Sequence, residues 1–130
     1  MTAVDTNVLL RIVTNDDKSQ AARAAAFLQK QDRVYLAKTV LLEFEWVLRR
    51  AYGFAPPEIL AALRRLLTAG NLEVEDEVAV LQALDWYGQG MNFADSLHLA
   101  SAAGARRFAT FDTVLLSKAR RLATGNLAAL

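Results

Sequence analysis

Residues 2–13, TAVDTNVLLRIV, decide the fold of this chain, because an apolar stretch with strand character runs directly into one with helical periodicity. Residues 2–5 are predicted to form a short buried strand. The helix that follows begins at Thr6, and either Asp5 or Thr6 caps it. A strand that passes at once into a helix is typical of proteins with a parallel sheet.

The same alternation continues to the end of the chain. Further strands are predicted at residues 34–37, 71–76 and 107–112. Further helices are predicted at residues 19–31, 39–52, 57–69, 76–90, 93–105 and 113–123. This order predicts an α/β fold in a single domain spanning residues 1–130. Its central sheet should be mostly parallel, with four to five strands and with helices on both faces.

The composition restricts the chemistry available to the chain. Its 130 residues include no cysteine and one histidine, and 15 basic against 14 acidic residues give a net charge of +1. Disulfides, thiol nucleophiles and thiolate metal sites are therefore excluded. Any bound metal must be held mainly by oxygen ligands, which favours hard cations.

The distribution of apolar residues bears on location and assembly. Asp5 interrupts the N-terminal apolar stretch where a signal peptide would need a continuous one, and no uncharged apolar run approaches membrane-spanning length. The sequence therefore predicts a soluble, cytoplasmic protein without membrane association. The hydrophobic fraction of 54% is mostly aliphatic, and its surplus over one core predicts a homodimer.

Four carboxylates are candidates for a cation site. Asp5 and Asp112 end predicted strands, and ligands of an open parallel sheet bind at the carboxyl ends of its strands. Glu43 and Asp95 lie on apolar stripes of predicted helices, with no basic residue three or four positions from Glu43. Carboxylates in one pocket repel each other unless a cation is bound, and oxygen donors suit Mg²⁺ or Mn²⁺.

Each acid also has a structural interpretation that the residues alone leave open. Asp5 and Asp112 could be N-caps of the helices that follow them. Asp95 could complement the dipole of its helix, and Glu43 could be a buried acid bonded to a distant arginine.

Four segments together resemble the PIN-domain ribonuclease family, and most closely its VapC toxins. They are VDTNVLLR around Asp5, LLEFEWVLRR around Glu43, FADSLHLASA around Asp95 and ATFD at Asp112. The resemblance covers the whole chain. It rests on four motifs in the same order, since no single one is specific.

The resemblance implies a Mg²⁺- or Mn²⁺-dependent endoribonuclease that acts as the toxin of a toxin–antitoxin pair, with RNA as substrate and an antitoxin protein as partner. Its acidic quartet matches Asp5, Glu43, Asp95 and Asp112, with Asp5 and Asp95 as the expected direct metal ligands. Supporting polar positions match Thr6, Asn7 and Thr110.

Two positions qualify this assignment. Many relatives carry a further acid where this chain has Asn92, which weakens the case for a second metal ion. His98 matches the toxin pattern, but a single histidine on an apolar helix is interpreted as a packing residue and is left out of the catalytic set.

Two other enzyme classes with an aspartate at a strand end fit the sequence poorly. A haloacid-dehalogenase-like phosphatase needs an acid where Asn7 stands, and a response-regulator receiver needs an acidic pair beside its first strand. Two alternatives stay open within the PIN fold: an RNA-processing nuclease without a toxic role, and a non-catalytic module for RNA binding or protein interaction.

Overall fold

The computed structural model describes residues 1–122 and 125–130. It divides into two compact units, Met1–Glu75 and Asp76–Leu130, and each is described by itself below. The described residues form helices and strands in alternation, and every strand pair among them is parallel. The predicted α/β class with a parallel sheet is confirmed. Among residues 1–122 and 125–130, the helices lack the length and apolar character of a membrane-spanning segment.

The first unit contains a three-stranded sheet in the order β1-β2-β3. Its strands are β1 (Thr2–Ala3), β2 (Val34–Leu36) and β3 (Leu72–Val74). Its helices are α1 (Thr6–Thr14), α2 (Lys18–Gln29), α3 (Lys38–Arg50) and α4 (Pro56–Leu66). All seven elements lie close to their predicted positions. Pairs of helices separate successive strands, as parallel strands require.

Carboxylates cap three of these helices. Asp5 caps α1, and Asp17 caps α2 by accepting a hydrogen bond from the backbone N–H of Gln20 at 3.0 Å. The N-cap residue of α3 is an alanine without a capping side chain. Oε1 of Glu75 takes over this role by accepting from the backbone N–H of Lys38 at 2.9 Å. A carboxylate that follows β3 thus stabilises the start of a distant helix.

Helix α3 supplies much of the core of the first unit through one stripe of side chains. Leu41, Phe44, Glu45 and Leu48 are buried at the spacing of adjacent helical turns. Glu45 is only 2% exposed, and its Oε2 accepts a hydrogen bond from Nε of Arg49 at 2.9 Å. The buried acid of this helix is therefore paired within its own helix.

The second unit contains a two-stranded parallel sheet. Its strands are β4 (Phe108–Thr110) and β5 (Leu127–Ala129), and its helices are α5 (Glu77–Gly88), α6 (Phe93–Ser101) and α7 (Thr113–Arg121). Strand β5 was not predicted from the sequence, because LAA lacks the β-branched and aromatic residues that mark strands. Three of the described strands thus belong to the sheet of the first unit and two to the sheet of the second unit. The predicted end of the last helix, at residue 123, lies outside the described residues.

Two clusters of apolar side chains hold the second unit together. Helices α5 and α6 pack through Tyr87 and Phe93, whose rings meet edge to face with centroids 5.3 Å apart. A second cluster joins α6 to α7. Its buried members are Met91, Leu99, Leu115 and Ala119. This packing fixes the starts of α6 and α7, which carry the two candidate acids of this unit, Asp95 and Asp112.

Candidate metal-binding carboxylates

Asp5 lies between β1 and α1 and caps the helix. Its Oδ1 accepts a hydrogen bond from the backbone N–H of Val8 at 3.3 Å, and the residue is exposed. The neighbouring Thr6 is buried, whereas Asn7 is exposed on the first turn of α1. A carboxylate has two oxygens, so capping leaves acceptor capacity on Asp5 for a cation. The predicted role of Asp5 as a helix N-cap is confirmed, and this role is compatible with metal binding.

Glu43 lies on the exposed side of α3. The prediction that its stripe is apolar is confirmed, because Val40, Trp46 and Val47 share this side of the helix. Trp46 is 53% exposed, however, so the stripe lies at the surface of the first unit. The interpretation of Glu43 as a buried acid is therefore wrong. Because α3 is apolar almost all round, the sequence does not reveal which of its sides is buried. The acid of α3 that lies in the core is Glu45.

Asp95 lies in the first turn of α6 and is half-buried. Its backbone N–H donates to Oδ1 of Asn92, the N-cap of this helix, at 3.2 Å. Burial raises the pKa of the Asp95 carboxyl, and the negative charge of Asp112 raises this pKa further. The charges of His98 and Lys118 act in the opposite direction without reversing the shift.

Asp112 follows β4 and caps α7. Its Oδ1 accepts from the backbone N–H of Leu115 at 3.0 Å, and its own backbone N–H donates to Oγ1 of Thr110 at 2.9 Å. Thr110 thus orients the residue whose charge acts on Asp95. This hydrogen bond gives a physical basis for the predicted supporting role of Thr110.

The structure brings Asp95 and Asp112 together within the second unit, close enough for one charge to act on the other. Asp5 and Glu43 belong to the first unit. Among residues 1–122 and 125–130, no group of three or more Asp, Glu or His side chains is arranged to hold a metal ion. The donor set fits Mg²⁺ or Mn²⁺ chemically, since all four candidates offer hard carboxylate oxygens and two of them repel each other when no cation is bound.

Asp16 of the first unit accepts several side-chain hydrogen bonds that were not predicted from the sequence. Its carboxylate accepts hydrogen bonds from Tyr52 at 2.9 Å, from Thr14 at 2.9 Å and from Arg11 at 3.0 Å. The hydroxyls of Tyr52 and Thr14, together with Arg11, hold the pKa of Asp16 below its ordinary value. The Arg11–Asp16 spacing of five residues across a loop gives little signal in the sequence, because the loop conformation decides whether the side chains meet.

A pocket within the second unit has a volume of about 590 Å³. Trp86, Phe108 and Arg106 contribute to its walls, and neither Asp95 nor Asp112 lines it. The candidate acids of this unit therefore lie outside this pocket.

His98 is exposed on α6, which contradicts its interpretation as a packing residue. The side of the helix that carries His98 is turned away from the buried residues Leu97 and Leu99. Its charge still acts on Asp95, three residues earlier on the same helix.

Comparison with known proteins identifies the family. The profile of the PIN domain matches residues 2–122, which is nearly the whole chain and includes all four candidate acids. No curated protein matches the chain. The chain belongs to the PIN domain family, whose members are generally metal-dependent nucleases.

Proposed function

We propose that this protein is a divalent-metal-dependent endoribonuclease that cleaves RNA phosphodiester bonds. The observation that carries the proposal is the pair formed by Asp95 and Asp112, in which burial and like charge raise the pKa of Asp95. A structural acid normally gains compensating donors, as Asp16 does. An acid whose ionised form is disfavoured in the free protein is typical of a functional site.

We further propose that Asp5, Glu43, Asp95 and Asp112 hold Mg²⁺ or Mn²⁺, with Asp5 and Asp95 as direct ligands. When bound, such a cation activates water, binds the scissile phosphate and stabilises charge on the leaving oxygen. The residues of the chain position the ligands. The α1 cap fixes Asp5, while Thr110 and the α7 cap fix Asp112.

Thr6 and Asn7 complete the proposed site at the start of α1. Thr6 is buried and can hold the strand–helix junction in place, whereas the exposed amide of Asn7 can donate to a substrate oxygen. In this proposal Thr6 and Thr110 are positioning residues, because each acts through a neighbouring carboxylate.

The biological role proposed is that of a cytoplasmic toxin with a cognate antitoxin. Support comes from apolar side chains that are exposed beside the acids. Phe111 and Val114, on either side of Asp112, are 79% and 61% exposed, and Trp46 is exposed on the same side of α3 as Glu43. Large exposed apolar side chains near a site favour a protein partner, either an antitoxin or a second copy of this chain.

Cleavage of a labelled structured RNA tests the enzymatic proposal. We expect cleavage with Mg²⁺ or Mn²⁺ and none in EDTA. The Asp95→Asn variant should be inactive in both conditions. Asp32→Asn is a matched control, because Asp32 is an exposed aspartate outside the proposed site. Full activity in EDTA would contradict metal dependence, and an Asp95→Asn variant as active as the control would contradict the assignment of the site.

The toxic role is tested by induced expression of the chain alone in a bacterial host. We expect wild type to arrest growth and Asp95→Asn to permit it. RNA cleavage in vitro without any effect on growth would favour the RNA-processing nuclease. Absence of both effects would favour the non-catalytic module.

A further inference from the structure

A groove between α1 and α2 lies next to the start of α1 and has a volume of about 390 Å³. Asn7, Val8 and Arg11 line it from α1, and Gln20, Arg23 and Ala24 line it from α2. The polar residues lie on adjacent turns: Asn7 and Arg11 are four positions apart, and Gln20 and Arg23 are three apart. Each helix therefore contributes one amide and one guanidinium to the groove.

The lining of this α1–α2 groove carries positive charge without a carboxylate. Arg23 is exposed and has no ion pair or side-chain hydrogen bond within the described part of the chain. Its charge is therefore available to a ligand. The two amides and two guanidiniums supply many N–H donors, which suits an anion with several acceptor oxygens.

Arg11 is held in place by the neighbours described above. Its Nη1 donates to Oδ1 of Asp16 at 3.0 Å, and Asp16 also accepts from Thr14 and Tyr52. An arginine has five N–H donors in a rigid fork, so this contact leaves further donors for a second acceptor. A guanidinium fixed in this way loses less side-chain entropy when it binds a ligand.

The position of the groove indicates which anion it takes. Asn7 lies two residues after Asp5, so the groove begins where α1 carries a proposed metal ligand and continues along the helix to Arg11. The rise of 1.5 Å per residue puts Asn7 and Arg11 about 6 Å apart along the helix axis. An RNA strand that reaches Asp5 thus has a row of donors beside its backbone.

We propose that the α1–α2 groove binds a backbone phosphate of the RNA substrate that neighbours the cleaved bond, through Arg23, Arg11 and the two amides. This inference rests on the proposed ribonuclease function and adds a substrate-binding subsite to it. The contact is to phosphate, so it contributes affinity and register irrespective of base sequence.

Binding of a fluorescein-labelled single-stranded RNA in EDTA, measured by anisotropy over a range of NaCl concentrations, tests the subsite without cleavage. The Arg23→Gln variant removes the unpaired charge and retains a polar side chain. Lys30→Gln is the matched control, because Lys30 is an exposed cation directly after α2 and does not line the groove. Arg23 is exposed, so its variant should fold like wild type, and circular dichroism checks this.

We expect Arg23→Gln to weaken binding roughly tenfold at low salt. A plot of the logarithm of the association constant against the logarithm of the salt concentration has a negative slope. In Arg23→Gln this slope should become shallower by about 0.7, the value for one phosphate contact to a single strand. Lys30→Gln should keep the wild-type slope. Arg11→Lys, which keeps the charge but loses the fork, should weaken binding without changing the slope.

Wild-type affinity and slope in Arg23→Gln would overturn the subsite. If wild type still cleaves RNA in that case, the proposed function stands and the groove is left to another occupant, such as an acidic protein segment. If wild type neither binds nor cleaves RNA, the proposed function fails and the subsite fails with it.

Discussion

Two aspartates on the two units show how one residue type acquires opposite properties. Asp16 of the first unit accepts three side-chain hydrogen bonds, which lower its pKa from the ordinary value of 3.8. Asp95 of the second unit is half-buried and is acted on by the charge of Asp112, and its pKa is raised from the same value. The surroundings of Asp16 favour a charge, whereas those of Asp95 oppose one. In the proposed function, this difference separates an acid that stabilises the fold from one that binds a cation.

The largest expected effect is on activity. Asp95→Asn should lower kcat/KM for RNA cleavage by at least about 100-fold, because even partners that only orient metal ligands contribute 10- to 100-fold. The neutral amide keeps the size of the side chain, and the backbone N–H can still donate to Asn92. Metal-dependent cleavage rates of wild type and Asp95→Asn measure the effect, with Asp32→Asn expected to remain near wild type. A loss below about threefold would remove Asp95 from the site.

The next effect concerns two glutamates of α3 that differ in burial. Glu45→Gln should lower the free energy of unfolding by about 2 kcal/mol, because it removes the buried carboxylate charge that pairs with the guanidinium of Arg49. Glu43→Gln, on the exposed side, should change stability by less than about 0.5 kcal/mol. Urea denaturation of both variants tests the comparison. Equal losses of unfolding free energy in the two variants would show that the difference in burial does not determine how much each glutamate stabilises the fold.

A smaller effect is expected at Asp16 and depends on pH. Because its folded-state pKa is lowered, Asp16 stabilises the fold above pH 3.8, and this contribution is lost as the pH falls through the folded-state value. Asp16→Asn should therefore lower the melting temperature at neutral pH. The fall in melting temperature on acidification should be smaller in this variant than in wild type. Melting curves from neutral to acid pH measure both. A variant with the wild-type melting temperature at neutral pH would show that the three hydrogen bonds add no net stability.

Much of the fold could be predicted from the sequence because local signals agree with it. Asp5 and Asp112 mark helix starts, and the structure shows both as caps. The buried stripe of α3 could not be selected, because Val40 and Trp46 make the opposite side equally apolar. A better signal was the pairing of Glu45 with a basic residue four positions later, which identifies an acid that can be buried.

The candidate site could be predicted only in part, because it depends on contacts between residues distant in sequence. The effect of Asp112 on Asp95 follows from the packing of α6 and α7, which no local pattern specifies. The network around Asp16 depends on Tyr52, 36 residues away. The α1–α2 groove likewise becomes visible only when the two helices are packed together.

Thermal denaturation of wild type and Asp95→Asn, in EDTA and with Mn²⁺, tests the central claim most directly. The raised pKa means that ionised Asp95 destabilises the metal-free fold, and this penalty grows as the pH rises from about 3.8 towards the folded-state value. At neutral pH in EDTA, the variant should melt at or above the wild-type temperature. Mn²⁺ at 100 times its Kd should stabilise wild type by about 2.7 kcal/mol and leave the variant nearly unchanged. A variant that melts below wild type in EDTA, or that Mn²⁺ stabilises as much as wild type, would contradict the assignment of Asp95 as a metal ligand.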